Sequence, residues 1–306
     1  MKNYAYTIVV IVFVAFAYFF PSYFISVGDY KLTAFIVPVL QVIMFGMGTT
    51  ITPDDFISIF KTPEKVGIGI AFQFMIMPML GFTLTKVFDF PAEVAAGMIL
   101  IGSSPSGLAS NVMALIAKAN IALSVTITTV ATLLAPLLTP LLMKWLGGEL
   151  MEVNFWAMMW DMCKIVIFPI GLGVILNRFL PAIMLRFKAI LPYFSMAGIL
   201  YVITVITAAG QANLATIGAM LFVAVLIHNC LGYFMGYYAA KALKMNEQDC
   251  RTISLEIGMQ NGGLASALAV QMGKAATVGL AAAIFGPLMN VTGSILASIW
   301  SAKKPD

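Results

Sequence analysis

Long apolar runs alternate with short polar interruptions along almost the whole chain. Reading the interruptions as loops predicts ten helical spans, near residues 4–26, 32–50, 66–88, 93–117, 120–146, 154–177, 190–209, 213–242, 250–273 and 275–301. Most are close to the roughly 20 residues that a helix needs to cross a hydrocarbon core. The first run follows a short basic start, but it is longer than the apolar core of a signal peptide. No small-residue cleavage site follows it, so it reads as the first span.

Composition supports an all-α membrane protein: 61% of residues are hydrophobic and 10% charged, against roughly 45–50% and 25% in soluble domains. With ten spans, Lys2, Lys61, Lys65, Lys118, Arg178, Arg186, Lys188, Lys241, Lys244, Arg251, Lys303 and Lys304 share one side, 12 cations in all. Lys31, Lys86, Lys144 and Lys274, 4 cations, fall on the other. Basic loops stay cytoplasmic. The expectation is a multi-pass protein of the cell inner (plasma) membrane, in contact with lipid, with both termini cytoplasmic. The net charge of +4 therefore reports orientation and does not point to nucleic acid. Cys163, Cys230 and Cys250 have no metal-ligand spacing and read as packing residues.

One internal repeat stands out. Gly107-Leu-Ala-Ser110 recurs as Gly263-Leu-Ala-Ser266, and the same offset of 156 carries Lys118-Ala119 onto Lys274-Ala275. Over the 13 columns from Gly107 to Ala119, six are identical. The two segments lie in the fourth and ninth spans, which are equivalent if the chain is two five-helix units, repeat 1 about 1–150 and repeat 2 about 151–306. Five is odd, so the second unit enters the membrane inverted. Both segments are interrupted, by Gly102-Ser-Ser-Pro-Ser-Gly107 and by Gly258-Met-Gln-Asn-Gly-Gly263. Broken helices at membrane depth are tolerated only inside protein or beside a wet cavity, and they form the binding sites of inverted-repeat transporters.

Around these breaks sits a polar constellation. Among 13 acids, Glu256 alone lies well inside an apolar span with no cation nearby in sequence. Such a residue marks an ion or substrate path by default. Gln260 and Asn261 flank it, and the related segment offers Ser103, Ser104, Ser106, Ser110 and Asn111. The fifth span adds Ser124, Thr126, Thr128, Thr129 and Thr132, with Ser124 and Thr128 on one helical face. The offset of 156 also pairs Gln73 with Asn229. Hydroxyls, amide oxygens, unwound carbonyls and one carboxylate are hard donors that suit an alkali cation. Asp161 and Lys164 read as a structural ion pair, and His228 as a packed, hydrogen-bonded side chain.

The motifs GSSPSGLASNV (102–112), ALSVTITT (122–129) and LEIGMQNGGLA (255–265) resemble the bile acid:sodium symporter family, and within it the bacterial homologues of the apical sodium-dependent bile acid transporter. The resemblance implies a single integral membrane transporter domain over 1–306: a panel of helices 1, 2, 6 and 7, and a core of helices 3–5 and 8–10 in which broken helices 4 and 9 cross. It also implies two sodium ions, one held by Ser110, Asn111, Ser124, Thr128 and Glu256. The other would be held by Gln73, Glu256 and Gln260 with the carbonyls of Ile257 and Met259. Asn261 and Asn290 match substrate-facing positions. Leu108 and Met289 stand where relatives carry Thr and His, and the expected substrate is an organic anion, either bile-acid-like or a smaller carboxylate. The expected activity is sodium-coupled symport by alternating access; the alternative is proton coupling through Glu256. Paired catalytic aspartates, an HExxH motif and a Ser/His arrangement are all missing from the sequence, which argues against an intramembrane enzyme.

Overall fold

A computed structural model describes residues 2–51 and 62–302, with side chains from residue 8 onward. Lys61, Lys303 and Lys304 of the basic tally, and the Lys2 side chain, lie outside what is described. The chain is almost entirely helical. Helix α1 covers Lys2–Phe19 and ends before Pro21; a single turn, α2 (Ser22–Ile25), and a small hairpin, β1 (Ser26–Val27) and β2 (Tyr30–Lys31), follow. The remaining helices of the first half are α3 (Ile36–Thr50), α4 (Pro63–Phe88), α5 (Ala92–Gly102), α6 (Ala109–Ile116) and α7 (Ile121–Gly147). In the second half, α8 (Phe155–Met162) passes through a π-helical turn, Cys163–Ile167, into α9 (Phe168–Phe179). Then come α10 (Pro181–Ala209), α11 (Gln211–Ala242), α12 (Glu247–Gly258), α13 (Gly262–Gln271) and α14 (Gly279–Ala302).

Local chemistry explains these boundaries. Asn120, Asn154, Asn246 and Asn261 cap α7, α8, α12 and α13, each side chain accepting a backbone N–H from the first turn, as short amide side chains do best. Pro63 and Pro181 open α4 and α10, where a missing N–H costs nothing. Seven segments among the described residues are long and apolar enough to cross a membrane: 32–50, 63–88, 121–147, 155–179, 181–209, 211–242 and 279–302. Their large apolar side chains point outward in quantity, Trp145, Trp156, Phe179 and Tyr193 all being at least 70% exposed. That pattern is consistent with a multi-pass membrane protein.

Two expectations about boundaries need correcting. The seventh span begins at Pro181 instead of 190, so Arg186 and Lys188 are helical and not in a loop. The first span stops at Phe19, short of 26, because Pro21 and the hairpin interrupt it. Hydropathy places a span's edge at its first charge, whereas long basic side chains allow the helix to continue into the interface.

The helices pack in two groups that also touch each other, α7 against α8, α3 against α13 and α10 against α14. α3 lies against α9 and α10, and α1 against α10. α3 and α9 touch backbone to backbone: a Cβ on Gly48 would sit 2.2 Å from the Ile170 carbonyl oxygen, and one on Gly173 2.3 Å from that of Phe45. The other set joins α4 to α5 and α7, α11 to α12, and α13 to α14. Asp161 and Lys164 pair at 3.0 Å beside the π turn, partly exposed. His228 is buried, with Nε2 2.9 Å from the Met77 carbonyl and its ring edge-on to Phe285.

Candidate functional site

Residues 103–108 separate α5 from α6, and residues 259–261 separate α12 from α13. The two gaps lie antiparallel, with Ser106 opposite Gln260. Gly107 N–H donates to the Met259 carbonyl at 3.1 Å, and Asn261 N–H to the Pro105 carbonyl at 2.8 Å. Each break thus supplies part of the other's missing helical ladder. That pairing lets irregular backbone persist inside an apolar fold.

Glu256 occupies the last turn of α12 and is fully buried. Its Oε1 accepts from Ser110 Oγ at 2.6 Å and Ser124 Oγ at 2.5 Å; its Oε2 accepts from Ser106 Oγ and Thr128 Oγ1, both at 2.7 Å. Asn111 Oδ1 lies 2.8 Å from Ser124 Oγ and 3.2 Å from Thr128 Oγ1, and Ser110 Oγ also reaches the Gly107 carbonyl at 2.9 Å. A hydroxyl carries one proton, so the hydroxyls face more acceptors than they can satisfy. Among the described residues no lysine or arginine forms an ion pair with Glu256.

Beside this cluster, Gln73 of α4 donates through Nε2 to the Ser104 carbonyl at 2.9 Å and to Gln260 Oε1 at 2.8 Å. Gln260 Nε2 in turn reaches the Ile257 carbonyl at 2.6 Å. Gln73 Oε1 is buried with no hydrogen-bond partner among the described residues, a costly arrangement unless something else uses it. Asn229, at the offset position, behaves in parallel: its Nδ2 donates to the Gly258 carbonyl at 2.8 Å, while its Oδ1 accepts from Thr292 at 2.5 Å. Both amides hold a carbonyl released by a helix break.

The four substrate-facing candidates share one cavity of about 100 Å³ between the crossing and α3 and α10. Asn261 lines it while capping α13 through Oδ1 to Leu264 N–H at 3.0 Å. Asn290 lines it with Nδ2 on the Gly286 carbonyl at 2.9 Å. Leu108 is 39% exposed and Met289 7%. Among the described residues no charged side chain lines the cavity, and the first residues of both α6 and α13 open onto it.

Two residues exceed what the sequence suggested. Ser106 lay among the candidate hydroxyls but outside the expected ion ligands, yet it is a direct donor to Glu256. Thr292 has no repeat partner to single it out and holds Asn229.

Residues 37–217, more than half of the chain, match the Sodium Bile acid symporter family. The chain belongs to this family. Within the sodium bile acid symporter family, it is 39% identical over 294 residues to the uncharacterized sodium-dependent transporter YocS of Bacillus subtilis (strain 168), covering 96% of this chain and 90% of that one. It is 34% identical over 263 residues to the probable sodium/metabolite cotransporter BASS2, chloroplastic, of Oryza sativa subsp. japonica, covering 85% of this chain but 62% of that protein. BASS1 of the same plant is 30% identical over 263 residues, at 86% and 65% coverage. The chain therefore spans less than two thirds of the rice relatives' length. These sodium bile acid symporter family relatives are named as transporters and cotransporters, not as enzymes.

Proposed function

We propose that the chain is a sodium-coupled symporter of a small organic anion, working by alternating access. The Glu256 cluster carries this reading. The cluster holds more acceptor oxygens than hydroxyl protons, so lone pairs remain for a bound positive charge. A buried carboxylate without a cationic side chain then calls for another positive charge, and oxygen-only surroundings suit sodium. In the proton-coupled alternative, a proton on Glu256 supplies that positive charge.

The first sodium ion is assigned to Ser110, Asn111, Ser124, Thr128 and Glu256, with Ser106 adjoining. The second is assigned to Gln73, Glu256, Gln260 and the carbonyls of Ile257 and Met259. The unpartnered Gln73 Oε1 supports it. Seven long helices, α1, and the end-to-end pairs α5/α6 and α12/α13 add up to ten spans, consistent with two inverted five-helix repeats within one transporter domain. The panel is then α1, α3, α8/α9 and α10, and the core is α4–α7 with α11–α14. The basic loops support a reading with both termini on the cytoplasmic side of the inner membrane.

Repeat-related half-helices differ in exposure, which supports alternating access. Leu108, just before α6, and Val112 on it are 39% and 55% exposed, whereas their offset partners Leu264 and Leu268 on α13 are 0% and 1% exposed; Leu115 and its partner Gln271 are both exposed. In the opposite state the two sets exchange roles. The substrate anion sits at the paired helix N-termini, where N–H groups and dipoles favour negative charge. Asn261 and Asn290 contribute amide contacts. A cavity of about 100 Å³ is below the roughly 300–1,000 Å³ of drug-sized pockets, which favours a small carboxylate.

The test is uptake of a panel of radiolabelled small carboxylates into proteoliposomes under inward sodium or potassium gradients. At least one carboxylate is expected to accumulate with sodium and not with potassium. Uptake that ignores sodium and follows an imposed pH gradient would overturn the reading.

A further inference from the structure

At the end of the core nearest the basic loops, three side chains from three helices meet. Asp249, in the first turn of α12, is fully buried. Its Oδ2 accepts from Lys65 Nζ of α4 at 2.5 Å, and its Oδ1 accepts from Asn120 Nδ2 at 2.8 Å. Asn120 also caps α7 through Leu123 N–H at 3.1 Å. Thr252, one turn further along α12, bonds both the N–H and the carbonyl of Asn120, at 2.9 and 3.1 Å. None of these groups belongs to the proposed ion or substrate sites.

Their spacing is the informative feature. Lys65 precedes Gln73 on α4 by 8 residues, Asn120 precedes Thr128 on α7 by 8, and Asp249 precedes Glu256 on α12 by 7. The meeting point therefore lies about two helical turns, roughly 12 Å, from the ion ligands on every one of the three helices. The helices run from it in the same sense, so their relative heights at the ligands depend on their relative heights at this point. A one-residue slip is about 1.5 Å, and contacts of 2.5–2.7 Å between Glu256 and the hydroxyls of Ser124 and Thr128 do not survive it.

We infer that Lys65, Asn120 and Asp249 are positioning residues that fix the axial register of α4, α7 and α12 and thereby set sodium affinity. The inference rests on the sodium reading of the Glu256 cluster. The repeat offers an internal control. The offset of 156 carries Glu93 onto Asp249, and Glu93 also takes a lysine, Lys274, together with Thr277 at 2.6 Å. That pair is partly exposed, 36% for Glu93 and 40% for Lys274. Seven residues beyond Glu93, at the offset position of Glu256, lies Leu100, which brings no ligand side chain. The same device is thus present once with ion ligands above it and once without.

The experiment follows thermal unfolding of the purified full-length chain in detergent as sodium replaces potassium at constant ionic strength. Partners that orient metal ligands typically contribute about 10–100-fold to affinity. Asp249→Asn and Lys65→Met are therefore expected to raise the sodium concentration for half of the stabilisation about tenfold or more. Asn120→Ser, which keeps a cap for α7 but does not reach Asp249, is expected to do the same and guards against simple misfolding. Lys65→Arg and Glu93→Gln are expected to keep the wild-type half-point. Variants that unfold earlier in both salts with an unchanged half-point would overturn the inference while leaving the sodium reading intact. Absence of any sodium effect in the intact protein would overturn both.

Discussion

Glu256→Gln is expected to abolish sodium-dependent uptake and the thermal stabilisation by sodium, while melting in potassium stays within a few degrees of the intact protein. The substitution keeps the shape of the side chain and removes its charge. Four hydroxyls surround the carboxylate, and hydroxyl protons rotate, so Ser106, Ser110, Ser124 and Thr128 can accept from the new amide where they formerly donated. The fold is therefore largely kept. What is lost is the charged group of the cluster, which no lysine or arginine pairs among the described residues.

Hydrogen bonds to charged groups contribute about 1.5–3 kcal/mol each. A loss of about 3 kcal/mol corresponds to roughly 100-fold in affinity, before the ion's own attraction to the carboxylate is counted. Glu256→Ala is a poorer probe, because it leaves four buried hydroxyls and a void, and a fall in stability would mask the effect on sodium. A Gln variant that still melts later in sodium than in potassium would remove Glu256 from the ion site. The carboxylate would then be only a support for the crossing of the two breaks.

The chemistry of the crossing was legible because it contradicts its surroundings. A carboxylate, two amides and a series of hydroxyls in otherwise apolar helices require an explanation, and glycine and proline mark where the helices break. The offset of 156 linked the two breaks before any geometry was known. Convergence was not legible. Sequence places Ser106 beside Ser110 in the chain, but it does not say which hydroxyls turn toward Glu256. The charged helix ends were harder still. Lys65 and Arg251 read as loop cations that report orientation, yet Lys65 pairs with the buried Asp249.

Arg251 is 2% exposed and donates to the carbonyls of Ala117 and Trp300 at 3.1 and 3.2 Å, joining the ends of α6 and α14. Hydropathy cannot separate a cation that faces lipid headgroups from one turned inward to satisfy helix C-termini. The pairing of Glu93 with Asp249 at the same offset was available as a signal. Neither stands out in the sequence, because acids near span ends are ordinary in isolation.

Gly258→Ala is expected to lower stability by about 1–3 kcal/mol, the usual result of overpacking, and to weaken the sodium response with it. The glycine ends α12, directly beneath the break. A Cβ there would lie 2.1 Å from Tyr233 Cδ1 and 2.3 Å from Cε1. The ring has little room to withdraw: Tyr233 is 6% exposed, its hydroxyl donates to the Met289 carbonyl at 3.2 Å, and its own carbonyl accepts from Ser254 at 2.7 Å. Gly232 and Gly236 of α11 extend the same close contact, a Cβ on either falling 3.1–3.2 Å from the backbone of α12. Small residues four apart let two membrane helices approach in this way.

The added methyl must therefore move α12 itself, and that displaces the Gly258 carbonyl from Asn229 and carries Glu256 with it. Gly102, the offset partner of Gly258, is closed in a different way, since its Cβ would meet the Met77 carbonyl oxygen at 2.5 Å. Backbone cannot be trimmed by mutation, but the tyrosine ring can. Combining Gly258→Ala with Tyr233→Ala is expected to recover part of the sodium response lost in the glycine variant, as coupled neighbours do in a double-mutant cycle. Thermal unfolding across a sodium titration measures both effects. A Gly258→Ala protein with unchanged melting and an unchanged sodium half-point would mean that α12 has slack against α11, and that the ion ligands are held by the crossing alone.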